Sequence, residues 1–177
     1  MGILWDARHR DQDLQIAILD ASDKTPLAVA YLDMNGLKQI NDTLGHDSGD
    51  LALKSYFHAI TSAVGEQGEA YRLGGDEVLV VMPNCDEERA CRLLNRACSR
   101  LMNERLEETG SPQFLSIAAG VISCRDSSAL APDLRSLADK MQSLAKERSK
   151  RGTPRPSVIS TEEMSNPLVL SHECTPP

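Results

Sequence analysis

Ala70-Tyr-Arg-Leu-Gly-Gly-Asp-Glu-Val-Leu-Val-Val-Met82 is the stretch of sequence that decides the fold. Two apolar runs stand on either side of Gly74 and Gly75, and this pattern predicts a β-hairpin with its tight turn at the two glycines. Asp76 and Glu77 follow the glycines, so we expect both carboxylates to lie at one rim of a sheet.

A second apolar run, Pro26-Leu-Ala-Val-Ala-Tyr-Leu32, predicts a buried strand that ends at Asp33. If the hairpin lies beside this strand, Asp33 converges with Asp76 and Glu77, and the carboxylates repel each other unless a cation lies between them. Mg²⁺ suits such a site because it prefers oxygen ligands and binds through one or two carboxylates plus substrate phosphates. The alternative is that acids at strand ends are simply solvated. The double glycine, which lets the backbone approach a ligand closely, favours the metal.

The remaining hydrophobic periodicity predicts helices and further strands around these elements. Helices are expected at residues 8–21, 37–44, 50–64, 86–109 and from 132 onward, and strands at 114–122 and, as an edge strand, 158–159. The order α-β-α-α-β-β-α-β-α predicts an α+β fold, with a central, mainly antiparallel sheet and helices packed on it. Residues 1–160 form one domain in this interpretation. Residues 161–177, rich in Pro, Ser and Thr, form a C-terminal tail without an ordered core.

Composition and charge exclude several classes of protein. The 177 residues suffice for one compact domain, and the hydrophobic fraction of 41% provides for its core. A net charge of −7 argues against charge-driven binding of nucleic acid, which needs a basic surface. The five cysteines form no C-x-x-C pair, and no apolar run approaches the ~20 residues of a membrane span. The first residues also lack the features of a signal peptide, so we expect a cytoplasmic chain with reduced thiols and no membrane contact.

Two polar pairs outside the acidic site are candidates for recognising a nucleotide. Asn41 and Asp50 could bind a purine edge, the carboxylate accepting from the N–H donors of guanine and the amide matching its acceptors. Capping is the alternative, since both residue types are preferred at helix ends. Lys146 and Lys150 lie four residues apart on one helix face and could hold a polyphosphate. Considered alone, a solvated helix surface explains these lysines more simply.

The order and spacing of these elements resemble one family, the GGDEF domain of diguanylate cyclases. The blocks that carry the resemblance are Arg72-Leu-Gly-Gly-Asp-Glu-Val78, Leu32-Asp-Met-Asn-Gly-Leu-Lys-Gln-Ile-Asn-Asp42, Gly45-His-Asp-Ser-Gly-Asp50, and Ala138-Asp139, Ala145-Lys146 and Lys150. The similarity extends from about Trp5 to about Ser160. It implies a fold like that of nucleotidyl cyclases and polymerase palm domains.

The resemblance implies a metal-dependent reaction. Asp33, the main-chain carbonyl of Met34, Asp76 and Glu77 would hold Mg²⁺, or Mn²⁺ in its place. Asp76 and Glu77 would be the catalytic residues, Asp76 helping to deprotonate the attacking 3′-hydroxyl and Glu77 acting as an additional metal ligand or support. Two domains, each holding one GTP, would meet antiparallel and form cyclic di-GMP with release of two pyrophosphates. The implied partners are therefore GTP, cyclic di-GMP and a second copy of the domain. The alternative is a GGDEF module that binds GTP or cyclic di-GMP and regulates a partner without turnover.

The same resemblance implies how the substrate is bound. Asn41 and Asp50 would hydrogen-bond guanine, and Lys146 and Lys150 would hold the triphosphate. The Gly74-Gly75 turn would lie against it.

Three positions depart from the family pattern. Val78 stands where phenylalanine is usual, and Ser143 stands where the family often has tyrosine; we expect both differences to affect packing. The product-inhibition motif R-x-x-D should lie five residues before the double glycine, where this chain has Gly65-Glu-Gln-Gly68. Because neither the arginine nor the aspartate is present, the sequence predicts that this inhibitory site is absent.

Overall fold

The computed structural model describes residues 5–6, 9–103, 115–150 and 157–161, with the side chains of Lys150 and Ser157 left out. Its helices are α1 (Arg10–Leu19), α2 (Leu37–Leu44), α3 (His46–Val64), α4 (Glu87–Asn103) and α5 (Ala131–Lys150). Its strands are β1 (Trp5–Asp6), β2 (Leu27–Asn35), β3 (Glu69–Gly74), β4 (Glu77–Met82), β5 (Ser116–Cys124) and β6 (Ser157–Ser160), and a short 3₁₀ helix, Gly65–Gln67, follows α3. None of the described helices is long and apolar enough to cross a membrane. The predicted tail, apart from Thr161, lies outside the described residues.

The described strands form one sheet in the order β1-β3-β4-β2-β5-β6. The central strand β2 pairs antiparallel with β4 and β5, and β3 pairs antiparallel with β4. The outermost strands, β1 and β6, run parallel to their neighbours. The predicted α+β fold with a mainly antiparallel sheet is therefore confirmed, as is the edge strand at Val158 and Ile159. Strand β1 was not predicted, because two residues are too few to show a periodicity.

Alternation along β2 and β4 divides the core into two clusters, one on each face of the sheet. Even-numbered residues, such as Leu32 and Val78, pack with α3 and α4, whereas odd-numbered residues, such as Val29 and Leu79, pack with α1 and α5. Val78 is fully buried, as expected for a difference that affects packing. Ser143 is exposed, so the expectation that its difference affects packing is wrong.

Helices α2 and α3 are joined by a single residue, Gly45, which has a φ of +83°. It is the C-terminal cap of α2 and the N-terminal cap of α3. Its amide donates to the carbonyl of Asn41 at 3.0 Å and closes α2. Because α3 begins at His46, the prediction that this helix starts at Asp50 is wrong. The apolar periodicity begins only at Leu51, so the polar first turn gave no signal. Asp50 thus lies in the second turn of α3.

The central hairpin turns one residue later than predicted. Gly74 pairs with Glu77, so the loop consists of Gly75 and Asp76 and not of the two glycines. A register shift between Arg72 and Gly74 leaves an extra residue in β3, which is a β-bulge. Gly75 has a φ of +54°, a conformation that glycine adopts without strain. The bulge therefore places Asp76 within the loop itself.

Helix α5 lies directly on the sheet because β5 has a glycine at the contact. A Cβ atom on Gly120 would lie 2.1 Å from the backbone nitrogen of Gln142 and 2.5 Å from the carbonyl oxygen of Ala138. Gly120 pairs with Tyr31 of β2, so the contact is close to the centre of the sheet. The approach sets the distance between α5 and β2, and with it the reach of Lys146.

We expect Gly120→Ala to lower the free energy of unfolding by about 3 kcal/mol, because the added methyl group must displace the backbone of α5. Gly74→Ala is the matched control, since a Cβ there meets nothing within 4 Å. The control should cost less than about 1 kcal/mol. Urea denaturation of both variants makes the measurement. Equal losses would show that α5 does not rest on Gly120.

Candidate functional site

Asp33 and Asp76 come together where β2 ends beside the hairpin loop. Leu32 pairs with Val78 across β2 and β4, so the loop that precedes β4 reaches the residues after Leu32. The carboxylate of Asp76 accepts a hydrogen bond from the backbone of Met34, and the charge of Asp33 acts on it. The predicted convergence of these two acids is therefore present in the structure. The side chain of Met34 is buried, so only its backbone is available to the site.

Lys146 of α5 binds the first of these acids directly. Its Nζ donates to both carboxylate oxygens of Asp33, at 2.6 and 2.7 Å. Asp33 is only 8% exposed, and hydrogen bonds between charged groups in such surroundings are among the stronger ones in proteins. The ammonium group thus neutralises the charge of the Asp33 carboxylate.

Asp76 has a pKa raised above its usual value, first because burial disfavours its charged form and then because the charge of Asp33 repels it. Hydrogen bonds from backbone amides and the charge of Lys146 act in the opposite direction and are weaker. The fold therefore holds two carboxylates together against their repulsion. A cation placed between them would relieve it.

Glu77 follows Asp76 at the start of β4 and lies near Tyr31. Its carboxylate hydrogen-bonds the hydroxyl of Tyr31. Burial, followed by the charges of Glu77 and Asp139, raises the pKa of that hydroxyl to about 12. Glu77 therefore acts on a tyrosine of β2, and its charge also acts on the buried Tyr56 together with those of Asp33 and Asp76. Its assignment as a metal ligand stays a prediction.

The donor set suits a metal that shares its coordination with a substrate. The described residues contain no group of three or more His, Cys, Asp and Glu side chains that could hold a metal. Two carboxylates remain, at Asp33 and Asp76, with the main chain of Met34 beside them. Mg²⁺ typically takes one or two carboxylates and completes its shell with water and phosphate oxygens. The raised pKa of Asp76 and the ammonium of Lys146 both indicate a place that favours positive charge.

Asn41 lies against the backbone of Gly49, the residue before Asp50, because this glycine has no side chain. The side chain of Asn41 lies so near α3 that a Cβ on Gly49 would be 1.8 Å from its Oδ1 atom. Neither α2 nor α3 has a side-chain hydrogen bond at its N-terminal cap, and the C-terminal bond of α2 uses the carbonyl of Asn41. Capping therefore does not explain these two side chains. The amide of Asn41 and the exposed carboxylate of Asp50 stand on neighbouring helices.

The other predicted substrate residues lie around the same rim. Gly74 and Gly75 are both exposed at the tip of the hairpin. Lys150 is the last residue of α5, and its side chain lies outside the part of the chain that the structure describes.

Arg72 and Phe57 form a contact to which the sequence assigned no role. Arg72 donates from Nε and Nη2 to the carbonyl oxygen of Gly75, at 3.0 and 2.8 Å. Its guanidinium lies 5.0 Å from the centre of the Phe57 ring. Arg72 stands in the signature block, but the sequence contains no signal that pairs it with a residue on α3.

Comparisons with known proteins agree on one family. The chain matches the family model described as diguanylate cyclase, GGDEF domain, over residues 3–152. It is 31% identical over 120 residues to the probable diguanylate cyclase DgcJ of Escherichia coli, an alignment that covers 68% of this chain and 23% of that protein. The chain therefore spans about a quarter of the length of this relative.

Solved structures are similar over almost the whole chain. The GGDEF domain of DgcB from Caulobacter crescentus, in complex with c-di-GMP, has a TM-score of 0.76 at 23% identity and covers 92% of this chain and 95% of that one. The GGDEF domain of PA1120 from Pseudomonas aeruginosa has a TM-score of 0.74 at 27% identity and covers 97% of this chain and 99% of that one.

We expect Asp76→Asn to raise the free energy of unfolding of the metal-free protein at pH 7. The folded chain keeps the Asp76 proton to higher pH than the unfolded chain does, so stability is lost as the pH rises through the folded pKa. An asparagine at this position has no charged form, so its free energy of unfolding carries no such loss at pH 7. The difference between the variant and the unmodified chain should disappear below pH 3.8, the ordinary pKa of this side chain, because Asp76 is then protonated in both states. Urea denaturation at pH 7 and pH 3 in a chelator measures both effects.

Asp86→Asn is the control for this measurement. Asp86 caps α4 by accepting from the amide of Arg89 at 2.7 Å, and asparagine caps a helix about as well. It should show no gain at pH 7. A loss of stability in Asp76→Asn would contradict the unfavourable pairing of Asp33 with Asp76.

Proposed function

We propose a catalytic role for this chain, which belongs to the GGDEF domain family of diguanylate cyclases: it condenses two molecules of GTP into cyclic di-GMP and releases two pyrophosphates. The observation that carries the proposal is the pair of carboxylates, Asp33 and Asp76, held together with Lys146 beside them. A pair of like charges at the rim of a sheet costs stability, so its presence supports a role for the site in binding a cation and phosphate. Because GTP is an intracellular nucleotide, the proposal places the reaction in the cytoplasm.

Asp33, Asp76 and the main-chain carbonyl of Met34 would hold Mg²⁺ or Mn²⁺. When bound, the metal supplies positive charge that polarises the α-phosphate and stabilises the developing negative charge on its oxygens. Lys146, which donates to Asp33 in the metal-free chain, would bind the triphosphate together with Lys150 one helical turn further on. Asn41 and Asp50 would bind the guanine base, the carboxylate accepting from its N–H donors.

The reaction needs two copies of the domain in antiparallel orientation, each with one GTP. The 3′-oxygen of one nucleotide forms a bond to the α-phosphorus of the other, and the bond from that phosphorus to the bridging oxygen breaks, so that pyrophosphate leaves. The 3′-hydroxyl proton passes to the carboxylate of Asp76. Repetition at the second site closes the ring.

We expect Asp76→Asn to lower the rate of cyclic di-GMP formation from GTP and Mg²⁺ by on the order of 10²-fold or more, since both metal binding and proton transfer lose a charged group. Asp86→Asn should leave the rate unchanged. The rate per domain should also rise with protein concentration, because two half-sites must meet. Chromatography of the products at several protein concentrations measures all three.

The alternative, a non-catalytic GGDEF module, predicts a different result in the same experiment. Such a module would bind GTP or cyclic di-GMP but form no product at any protein concentration. Its binding would be measured by calorimetry on the unmodified chain. Binding without turnover would replace the catalytic proposal with this one.

The backbone of Gly65 and Gly68 argues against product inhibition through an R-x-x-D motif at this position. Gly65 has a φ of +55°, which an arginine would adopt only with strain. A Cβ on Gly68 would lie 2.1 Å from the carbonyl oxygen of Val81, so an aspartate fits there only if the backbone moves. Gly65 and Gly68 line a small cavity of about 210 Å³ together with Trp5 and Glu69. The indole N–H of Trp5 donates to the carboxylate of Glu69.

We therefore expect little inhibition by cyclic di-GMP at low micromolar concentration. Any product that binds should occupy the substrate site near Asn41 and Asp50, so GTP should displace labelled cyclic di-GMP completely. A competition titration measures this. Binding that persists at saturating GTP and is lost on Trp5→Ala would reveal an inhibitory site at the cavity.

A further inference from the structure

We propose that Arg72 and Phe57 are positioning residues that hold the hairpin loop, and with it Asp76, opposite Asp33. Two carboxylates at this rim repel each other, and the loop that carries Asp76 has only two residues, one of them a glycine. The hydrogen bond from the backbone of Met34 reaches only the side chain of Asp76, so the backbone of the loop needs an attachment of its own. The guanidinium of Arg72 supplies that attachment.

Arg72 fixes the loop by a fork onto one atom. Two of its N–H groups converge on the carbonyl oxygen of Gly75, the residue immediately before Asp76, at 3.0 and 2.8 Å. A rigid, planar donor group that makes two bonds to one carbonyl fixes the orientation of that peptide unit. Arg72 pairs with Val78 immediately before the β-bulge, so it lies three residues before the Gly75 carbonyl that it binds.

Phe57 in turn fixes Arg72. Its ring is 1% exposed in the core between α3 and the sheet, and the guanidinium lies 5.0 Å from its centre. Among the described residues no carboxylate pairs with Arg72, so the ring face and the Gly75 carbonyl are the groups that hold its charge. A cation over an aromatic face is stabilised most when it is shielded from water. Tyr56 packs against this ring, with the two ring centres 5.4 Å apart.

The chain thus contains a continuous connection from the core to the acid pair: the buried ring of α3, the guanidinium of β3, the carbonyl of Gly75 and then Asp76. Gly75 and Asp76 belong to the place assigned to substrate and metal, whereas Arg72 and Phe57 are not assigned to it. The kinetic consequence rests on the proposed function. The consequence for the order of the loop does not, because it concerns the metal-free protein alone.

The test uses Phe57→Leu and Arg72→Lys. The leucine stays apolar but removes the ring face, and the lysine keeps the charge but lacks the fork. ¹⁵N relaxation of the metal-free protein measures the amide order parameters of Gly75 and Asp76. We expect values near 0.85 in the unmodified chain and below about 0.6 in both variants. The double variant should be no more mobile at this loop than Arg72→Lys alone, since both changes break the same connection.

Ile60→Ala is the matched control, because Ile60 is fully buried on the same helix and in the same cluster. It should lower the melting temperature like Phe57→Leu but leave the loop ordered. In product formation, Phe57→Leu and Arg72→Lys should lower kcat by roughly 10- to 100-fold while KM for GTP changes less than about twofold. Phe57→Tyr, which keeps the ring, should retain loop order.

Unchanged order parameters in Phe57→Leu would overturn the proposal, as would an equal loss of loop order in Ile60→Ala. A rise in KM for GTP in Arg72→Lys with the loop still ordered would show that Arg72 acts on substrate directly. If the unmodified chain forms no product, the proposed function fails, yet the relaxation measurement still decides whether these two residues position the loop.

Discussion

The repulsion between Asp33 and Asp76 is the constraint on which the rest of this site depends. One acid is nearly buried at the end of a central strand, and the other stands in a two-residue loop beside it. Burial raises the free energy of the charged form of Asp76, and the neighbouring carboxylate raises it further. The fold offsets this cost with the ammonium of Lys146 and with backbone amides. A cation between the two carboxylates would relieve this repulsion.

Close backbone contacts at glycines bring the groups of the site together. Gly120 allows α5 to rest on β5, which places Lys146 over the end of β2. Gly49 allows the side chain of Asn41 to lie against α3, next to Asp50. Gly120 lies between α5 and the sheet, and Gly49 lies between the consecutive helices α2 and α3. A side chain at either glycine would push these elements apart. The geometry of the polar groups therefore depends on residues that carry no chemistry themselves.

The core beneath the hairpin departs from the family pattern at Val78. Val78 stands in the signature where phenylalanine is usual, and it is buried in the same cluster as Tyr56 and Phe57, which are among the largest fully buried side chains described. Aromatic volume in this cluster is thus supplied from α3. Since the ring of Phe57 also meets Arg72, the packing of the core and the position of the loop are connected through one side chain.

The sequence by itself determined the fold class, because alternating and helical apolar periods, a glycine hairpin and the signature block are local patterns. It also predicted that Asp33 and Asp76 converge if the hairpin lies beside the first strand, and the pairing of β4 with β2 supplied that condition. Only the tertiary structure decided that the loop begins at Gly75, that α3 begins at His46 and that Lys146 binds Asp33. A bulge, a one-residue junction and a contact across more than a hundred residues depend on packing between distant segments, and that packing leaves no periodic signal in the chain.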